Sequence, residues 1–166
     1  MLADRFGLVV HQETRPIPVY VLVVSKVGAL APADSAKCTV RPAEAPPPGG
    51  LPNCGSMFSS PTTSNIGVHY TGRSVPMGYL VRMLGGFMDR IVVNKTGLSG
   101  AFDWDLEFMP PRTLAAQAGP DAPALSSSAP PSIFTALQEQ LGLKLESQTE
   151  PMNVLVIDHA EQPSEN

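Results

Sequence analysis

Leu137-Gln138-Glu139-Gln140-Leu141-Gly142-Leu143-Lys144-Leu145-Glu146 and the Val154-Leu155-Val156-Ile157 that follows decide how the fold is read. Ile133, Phe134, Leu137 and Leu141 recur at helical spacing, and Ser132 stands where an N-cap belongs. The helix should end at Gly142, because glycine readily takes the left-handed conformation that closes a helix. Leu143, Leu145, Val154, Val156 and Ile157 then favour strand. Glu150-Pro151 between them reads as a turn. The same pattern stands at the other end of the chain. Residues 2–22 laid on residues 137–157 match at Leu2/Leu137, Gly7/Gly142, Leu8/Leu143, Thr14/Thr149, Pro16/Pro151, Val19/Val154 and Val21/Val156. Each copy reads as a helix end, a Gly cap, a strand, a Pro turn (Arg15-Pro16, Glu150-Pro151) and a second strand.

A looser third copy lies between them. Ser74 is an N-cap candidate with Pro76 just inside the helix start. Met77, Leu80, Val81, Leu84 and Met88 form a helical stripe, Ile91-Val92-Val93 a strand, Thr96–Gly100 a turn and Ala101–Met109 a further strand. The expected fold class is α+β: about three helix–strand–strand repeats forming antiparallel sheet, with helices packed on one face. One domain is expected over residues 1–166. Proline-rich loops interrupt it at 29–66, where both cysteines lie, and at 110–131. The polar tail from Glu161 to Asn166 reads as frayed.

Composition narrows the function classes. The chain has 166 residues, a net charge of −4 and only 16% charged residues. That balance disfavours nucleic acid as a partner, since a nucleic-acid binder carries a basic face. No apolar run reaches the ~18 residues of a membrane helix. Residues 1–100 hold nine Lys/Arg against five Asp/Glu, and residues 101–166 hold two against ten. The acidic half can attract the basic half or cations. Cys38 and Cys54 are the two cysteines. Without further cysteines or an intervening histidine they do not suit zinc. They read as a disulfide tying down a loop, and hence as a sign of an oxidising compartment, the alternative being two free thiols. Met1-Leu2-Ala3-Asp4-Arg5 lacks the basic and apolar regions of a signal peptide.

Four stretches together carry a family resemblance. They are Leu2-Ala3-Asp4-Arg5-Phe6 with His11-x-Glu13-Thr14-Arg15-x-x-Pro18-Val19-Tyr20, Val93-Asn94-Lys95-Thr96-Gly97-Leu98-Ser99-Gly100-Ala101-Phe102-Asp103, Ser132 through Leu143, and Val156-Ile157-Asp158-His159 through Pro163-Ser164-Glu165-Asn166. In this order they resemble the soil-associated family of uncharacterised bacterial proteins, a domain of unknown function, over nearly the whole chain. The resemblance implies no established activity. Members usually carry a signal sequence and an additional N-terminal segment. By resemblance the chain is thus an N-terminally shortened member, secreted or periplasmic in its parent form.

Two sets of residues can carry chemistry. Phe102-Asp103-Trp104-Asp105-Leu106-Glu107-Phe108 alternates strictly, so on a strand Asp103, Asp105 and Glu107 share one face. Three carboxylates spaced roughly 7 Å apart suit a hard cation such as Ca²⁺; the competing reading is the solvated face of a half-buried strand. His11, His69 and His159 are the candidate general bases, and His11 and His159 become neighbours if the terminal copies pair. The competing reading is surface histidines without a role. Lys95-Thr96-Gly97 reads as a β-turn, with Gly97 at the position that needs positive φ. No G-x-S-x-G, G-x-G-x-x-G or Walker motif occurs. The leading expectation is an exported, envelope-associated binding or scaffolding domain for a small molecule or protein. The second is a Ca²⁺-assisted hydrolase of an ester or lactone, in which the cation polarises a carbonyl and a histidine activates water. A third is self-association through strand edges.

Overall fold

The computed structural model describes residues 5–40, 50–62, 66–116 and 129–162. Pro42, Pro46, Pro47, Pro48, Pro120 and Pro123 of the expected loops, Leu2 of the repeat, and Pro163–Asn166 of the tail lie outside them. The chain runs β1 (Val9–Val24), β2 (Ala31–Pro32), a 3-10 turn (Ser35–Lys37), β3 (Ser56–Pro61), β4 (Val68–Pro76), α1 (Met77–Gly85), β5 (Val92–Asn94), β6 (Ala101–Phe108), α2 (Pro111–Ala116), α3 (Ile133–Leu141) and β7 (Leu143–His159). The fold class is α+β. One sheet has the order β5-β1-β7 and the other β2-β6-β4-β3. The chain divides into two compact units, residues 1–19 with 147–166, and residues 20–146, so β1 and β7 contribute to both.

The larger unit is organised by β6. Phe102, Trp104, Leu106 and Phe108 are all buried, as the alternation demands. They join a core with Leu80, Met83 and Leu84 of α1 and with Ile133, Ala136, Leu137 and Leu141 of α3. Burying each of the large side chains contributes about 1.5–3 kcal/mol before entropy is charged against it. Ser132 caps α3 through the Thr135 amide, and Gly142 closes it at φ 64°. A Cβ at Gly142 would meet Ala29 Cβ at 2.5 Å, so the position needs glycine for space as well as for conformation. Its carbonyl accepts the N–H groups of Ser25 and Lys26. α3 also closes an open length of sheet edge: the Gln140 amide accepts from Glu107 N–H at 2.9 Å and donates to its carbonyl at 2.8 Å.

β4 pairs antiparallel with β6, Gly72 opposite Trp104, and the register shifts between Gly72 and Val75. A Cβ at Gly72 would lie 2.4 Å from the Trp104 ring, so only glycine lets the indole cross β4. Ser74 sits in the shifted segment at φ 52°. It is therefore not the helix cap; Pro76 occupies the N-cap of α1 and makes no side-chain cap bond. The expected loop over 29–66 contains β2, the 3-10 turn and β3, and that over 110–131 contains α2. The Cys38–Cys54 disulfide is formed, with the Cα atoms 5.0 Å apart.

The smaller unit is a ribbon made of the outer lengths of β1 and β7. The expected turns at Arg15-Pro16 and Glu150-Pro151 are absent: each strand runs straight through its proline. Helix–strand–strand order runs as α1-β5-β6, while α3 is followed by the single long strand β7 where two strands were expected. What the two terminal copies share is a left-handed glycine, Gly7 and Gly142, ahead of a long strand. Thr14 Oγ1 donates to Asn153 Oδ1 at 2.8 Å, which sets the faces of the ribbon. By alternation Val10, Leu155 and Ile157 lie on the Thr14 face, and all three are exposed.

Candidate functional site

On β6 the three carboxylates have different surroundings. Asp103 is 5% exposed. Its Oδ1 accepts Ser74 N–H at 2.8 Å and its Oδ2 accepts Asp34 N–H at 2.9 Å. The carboxylate thus holds the irregular segment of β4 to the turn after β2. Asp105 is exposed, accepts from Thr71 Oγ1 at 2.7 Å and pairs with Arg73 at 2.9 Å. Glu107 is held through its backbone by Gln140. Among the described residues no group of three or more His, Cys, Asp or Glu is placed to hold a metal ion.

Each of the three histidines meets a different carboxylate, and the contact of His11 with Asp158 brings it beside the segment that carries His159. His11 Nδ1 lies 2.8 Å from Asp158 Oδ2, and its Nε2 lies 3.6 Å from Glu13. The hydrogen bond to Asp158, then the charge of that carboxylate, raises the His11 pKa. Glu13 is lowered, mainly by its hydrogen bond from Arg15. His159 bonds Glu161 at 2.9 Å rather than its neighbour Asp158. His69, on β4, contacts Ser60 of β3 through Nδ1 at 3.0 Å and Asp105 of β6 through Nε2 at 3.6 Å. Sequence spacing placed His69 and Asp105 in separate sets; the sheet register brings them together, with Ser60 beside them.

A groove of about 700 Å³ opens beside α1, α2 and α3. It is lined by Tyr20, the Gly86–Asp89 segment after α1, Pro110 through Thr113 with Ala115 at α2, and Phe134 of α3. Tyr20 and Phe134 meet edge to face, with ring centroids 5.7 Å apart. Phe87 packs at right angles on Phe108, 5.0 Å between centroids, which fixes the groove wall to the core. Arg90 Cζ sits 5.4 Å from the Tyr20 ring centroid and supports that ring by cation–π attraction. Arg112 lines the groove, exposed and with no ion pair or hydrogen bond among the described residues.

With that geometry in place, one comparison is decisive. The family described as a protein of unknown function, DUF3738, matches residues 1–160. The chain belongs to the DUF3738 family. No curated protein and no solved structure matches it. The DUF3738 match covers the strands and helices that build the groove and the outer sheet face alike, and it assigns no chemistry to either.

Sequence reasoning missed the groove residues. Phe134 reads as core by its spacing, yet it stands at the edge of the apolar arc of α3 and is 36% exposed, while Ala136 takes the interior place. The available signal was an aromatic one residue off the Ile133–Leu137–Leu141 stripe. Ser60 carried none, because it acquires its partner only through the β3–β4 register.

Proposed function

We propose that this chain is an extracytoplasmic binding domain whose ligand, an amphipathic carboxylate, lies in the Tyr20–Phe87–Phe134 groove. The observation that carries the reading is an aromatic-walled cavity of about 700 Å³ with the exposed Arg112 guanidinium, which makes no ion pair among the described residues, on its lining. Such a volume suits a drug-sized organic molecule, and binding sites are apolar clefts with a few placed polar groups. The aromatic rings take the apolar body of the ligand, and the guanidinium takes its carboxylate by charge-assisted hydrogen bonds. One further feature supports the compartment. The chain carries a disulfide, which persists in oxidising surroundings. No helix among the described residues is long and apolar enough to cross a membrane.

The test is a thermal-shift and calorimetric panel of aryl and medium-chain acyl carboxylates, each beside its neutral amide. At ~100 times Kd a bound ligand adds roughly 2.7 kcal/mol to stability, a shift of several degrees in Tm. Arg112→Ala should abolish the preference for carboxylate over amide, and Phe134→Ala should weaken both. A panel that leaves the Tm unmoved, or binding untouched by either substitution, overturns the reading.

A further inference from the structure

We propose that Ser60, His69 and Asp105 form an acyl-transfer site on the outer face of the four-stranded sheet. Ser60 is the nucleophile, His69 its general base and Asp105 the positioning carboxylate, and the substrate is a small carboxylic ester whose acyl group rests on Phe58.

The register brings these residues together from three neighbouring strands. Ser60 is paired with His69 across β3 and β4, and Asp105 is paired with Thr71, two residues along β4 on the same face. Ser60 Oγ to His69 Nδ1 is 3.0 Å, within reach for direct proton transfer. His69 Nε2 to Asp105 Oδ1 is 3.6 Å, a looser contact of the kind that free enzymes show before substrate tightens it. The carboxylate favours the tautomer with its proton on Nε2, which leaves Nδ1 unprotonated toward the serine. Asp105 is itself held by Thr71 Oγ1 and Arg73, so the carboxylate has a fixed orientation. The His69 side chain is 33% exposed and Ser60 is exposed, so an ester reaches both. A cavity of about 370 Å³ opens on the same face beside Phe58, lined also by Pro52, Asn53 and Ser56. Phe58 and Ser56 precede Ser60 by two and four residues on β3, so the three share a face. The cavity shares no lining residue with the Tyr20–Phe134 groove. The proposal therefore stands or falls apart from the binding function above.

The step balances with ester and water alone. Ser60 Oγ bonds to the acyl carbon as its proton passes to His69 Nδ1. The ester C–O bond breaks, and the imidazolium returns that proton to the leaving alkoxide. Water then attacks the acyl-serine and gives its proton to His69. The carboxylic acid leaves, and the serine oxygen regains its proton from His69.

The experiment is fluorophosphonate labelling of the full folded chain across pH 5–9, mapped by peptide mass, with p-nitrophenyl acetate and butyrate hydrolysis alongside. We expect one label per chain at Ser60, absent in Ser60→Ala, unchanged in Ser59→Ala, and slowed about 100-fold or more in His69→Gln. Asp105→Asn should slow labelling, and Asp105→Glu should restore part of the rate, a rescue that simple loss of packing would not produce. Phe58→Ala should reduce the preference for butyrate over acetate by roughly tenfold, the effect of two methylenes losing their apolar contact. Melting curves of each variant keep folding apart from chemistry. Labelling no faster than in heat-unfolded protein, or a label on any other residue, overturns the proposal. So does a wild-type pH profile with no inflection in the histidine range.

Discussion

Asp103 accepts two backbone N–H groups from segments 40 residues apart in the chain, Asp34 and Ser74. An asparagine there keeps one acceptor and turns an N–H₂ toward the other amide. Asp103→Asn should therefore lower stability by about 2 kcal/mol, the scale of a buried hydrogen bond to a charged group left unmade. Urea denaturation followed by the fluorescence of Trp104, the single tryptophan, measures it. His11 sets a pH dependence. Its pKa is raised in the folded state by Asp158. The stabilisation from that pair is complete below the ordinary histidine value of about 6.5 and is lost as pH rises through the higher folded value. Titration of the imidazole resonances by NMR should show His11 above the ordinary value in the wild type and close to it in Asp158→Asn. Equal titration in the two proteins would remove the pair from the account.

At the scale of elements, β6 and α3 were legible because their signals are local. Strict alternation needs only the pleat, and Ser132 with Gly142 needs only helix ends. The prolines misled for a physical reason. Pro16 and Pro151 lie in a two-stranded ribbon, where each strand is an edge, and a proline without an N–H is tolerated wherever that group would face solvent. The irregular segment of β4 was invisible, because the demand for it comes from Trp104 crossing Gly72 and from the Asp103 carboxylate, neither of which is a neighbour in sequence. The disulfide closes a segment whose ends are 16 residues apart and ties the 3-10 turn to the start of β3. Cys38→Ser with Cys54→Ser, or reduction, should cost roughly 3 kcal/mol by the chain-entropy argument. Chemical denaturation with and without reductant tests this, and no change in midpoint would mean that the loop is held by its other bonds, such as Thr39 N–H to the Pro52 carbonyl.

At the scale of the whole molecule, the two units differ in what holds them. Residues 20–146 contain the core cluster around Leu80, Phe108 and Leu137. In the ribbon of residues 1–19 and 147–166, Val19 is the one buried side chain among the described residues. Local opening is cheap where few apolar contacts must be broken. Amide exchange should accordingly be faster in Val9–Pro18 and Met152–His159 than in β6 and α3, by orders of magnitude under native conditions. Equal protection would show that the ribbon is held by more than its own cross-strand bonds.

The sequence by itself determined the α+β class, the cap and closure of α3 and the buried face of β6, and it favoured the pairing of Cys38 with Cys54 over two free thiols. Each depends on a residue and its near neighbours, or on two cysteines with no other partner. Only the tertiary structure decided which side chains share a site. Tyr20, Phe87 and Phe134 form one wall, and Ser60, His69 and Asp105 form one row, because strand register and helix packing join positions far apart in the chain. Asp103, by the same register, became a buried strut. A carboxylate reads alike in sequence whether it faces water, an arginine or two backbone amides, and its chemistry is set by which of these the fold puts beside it.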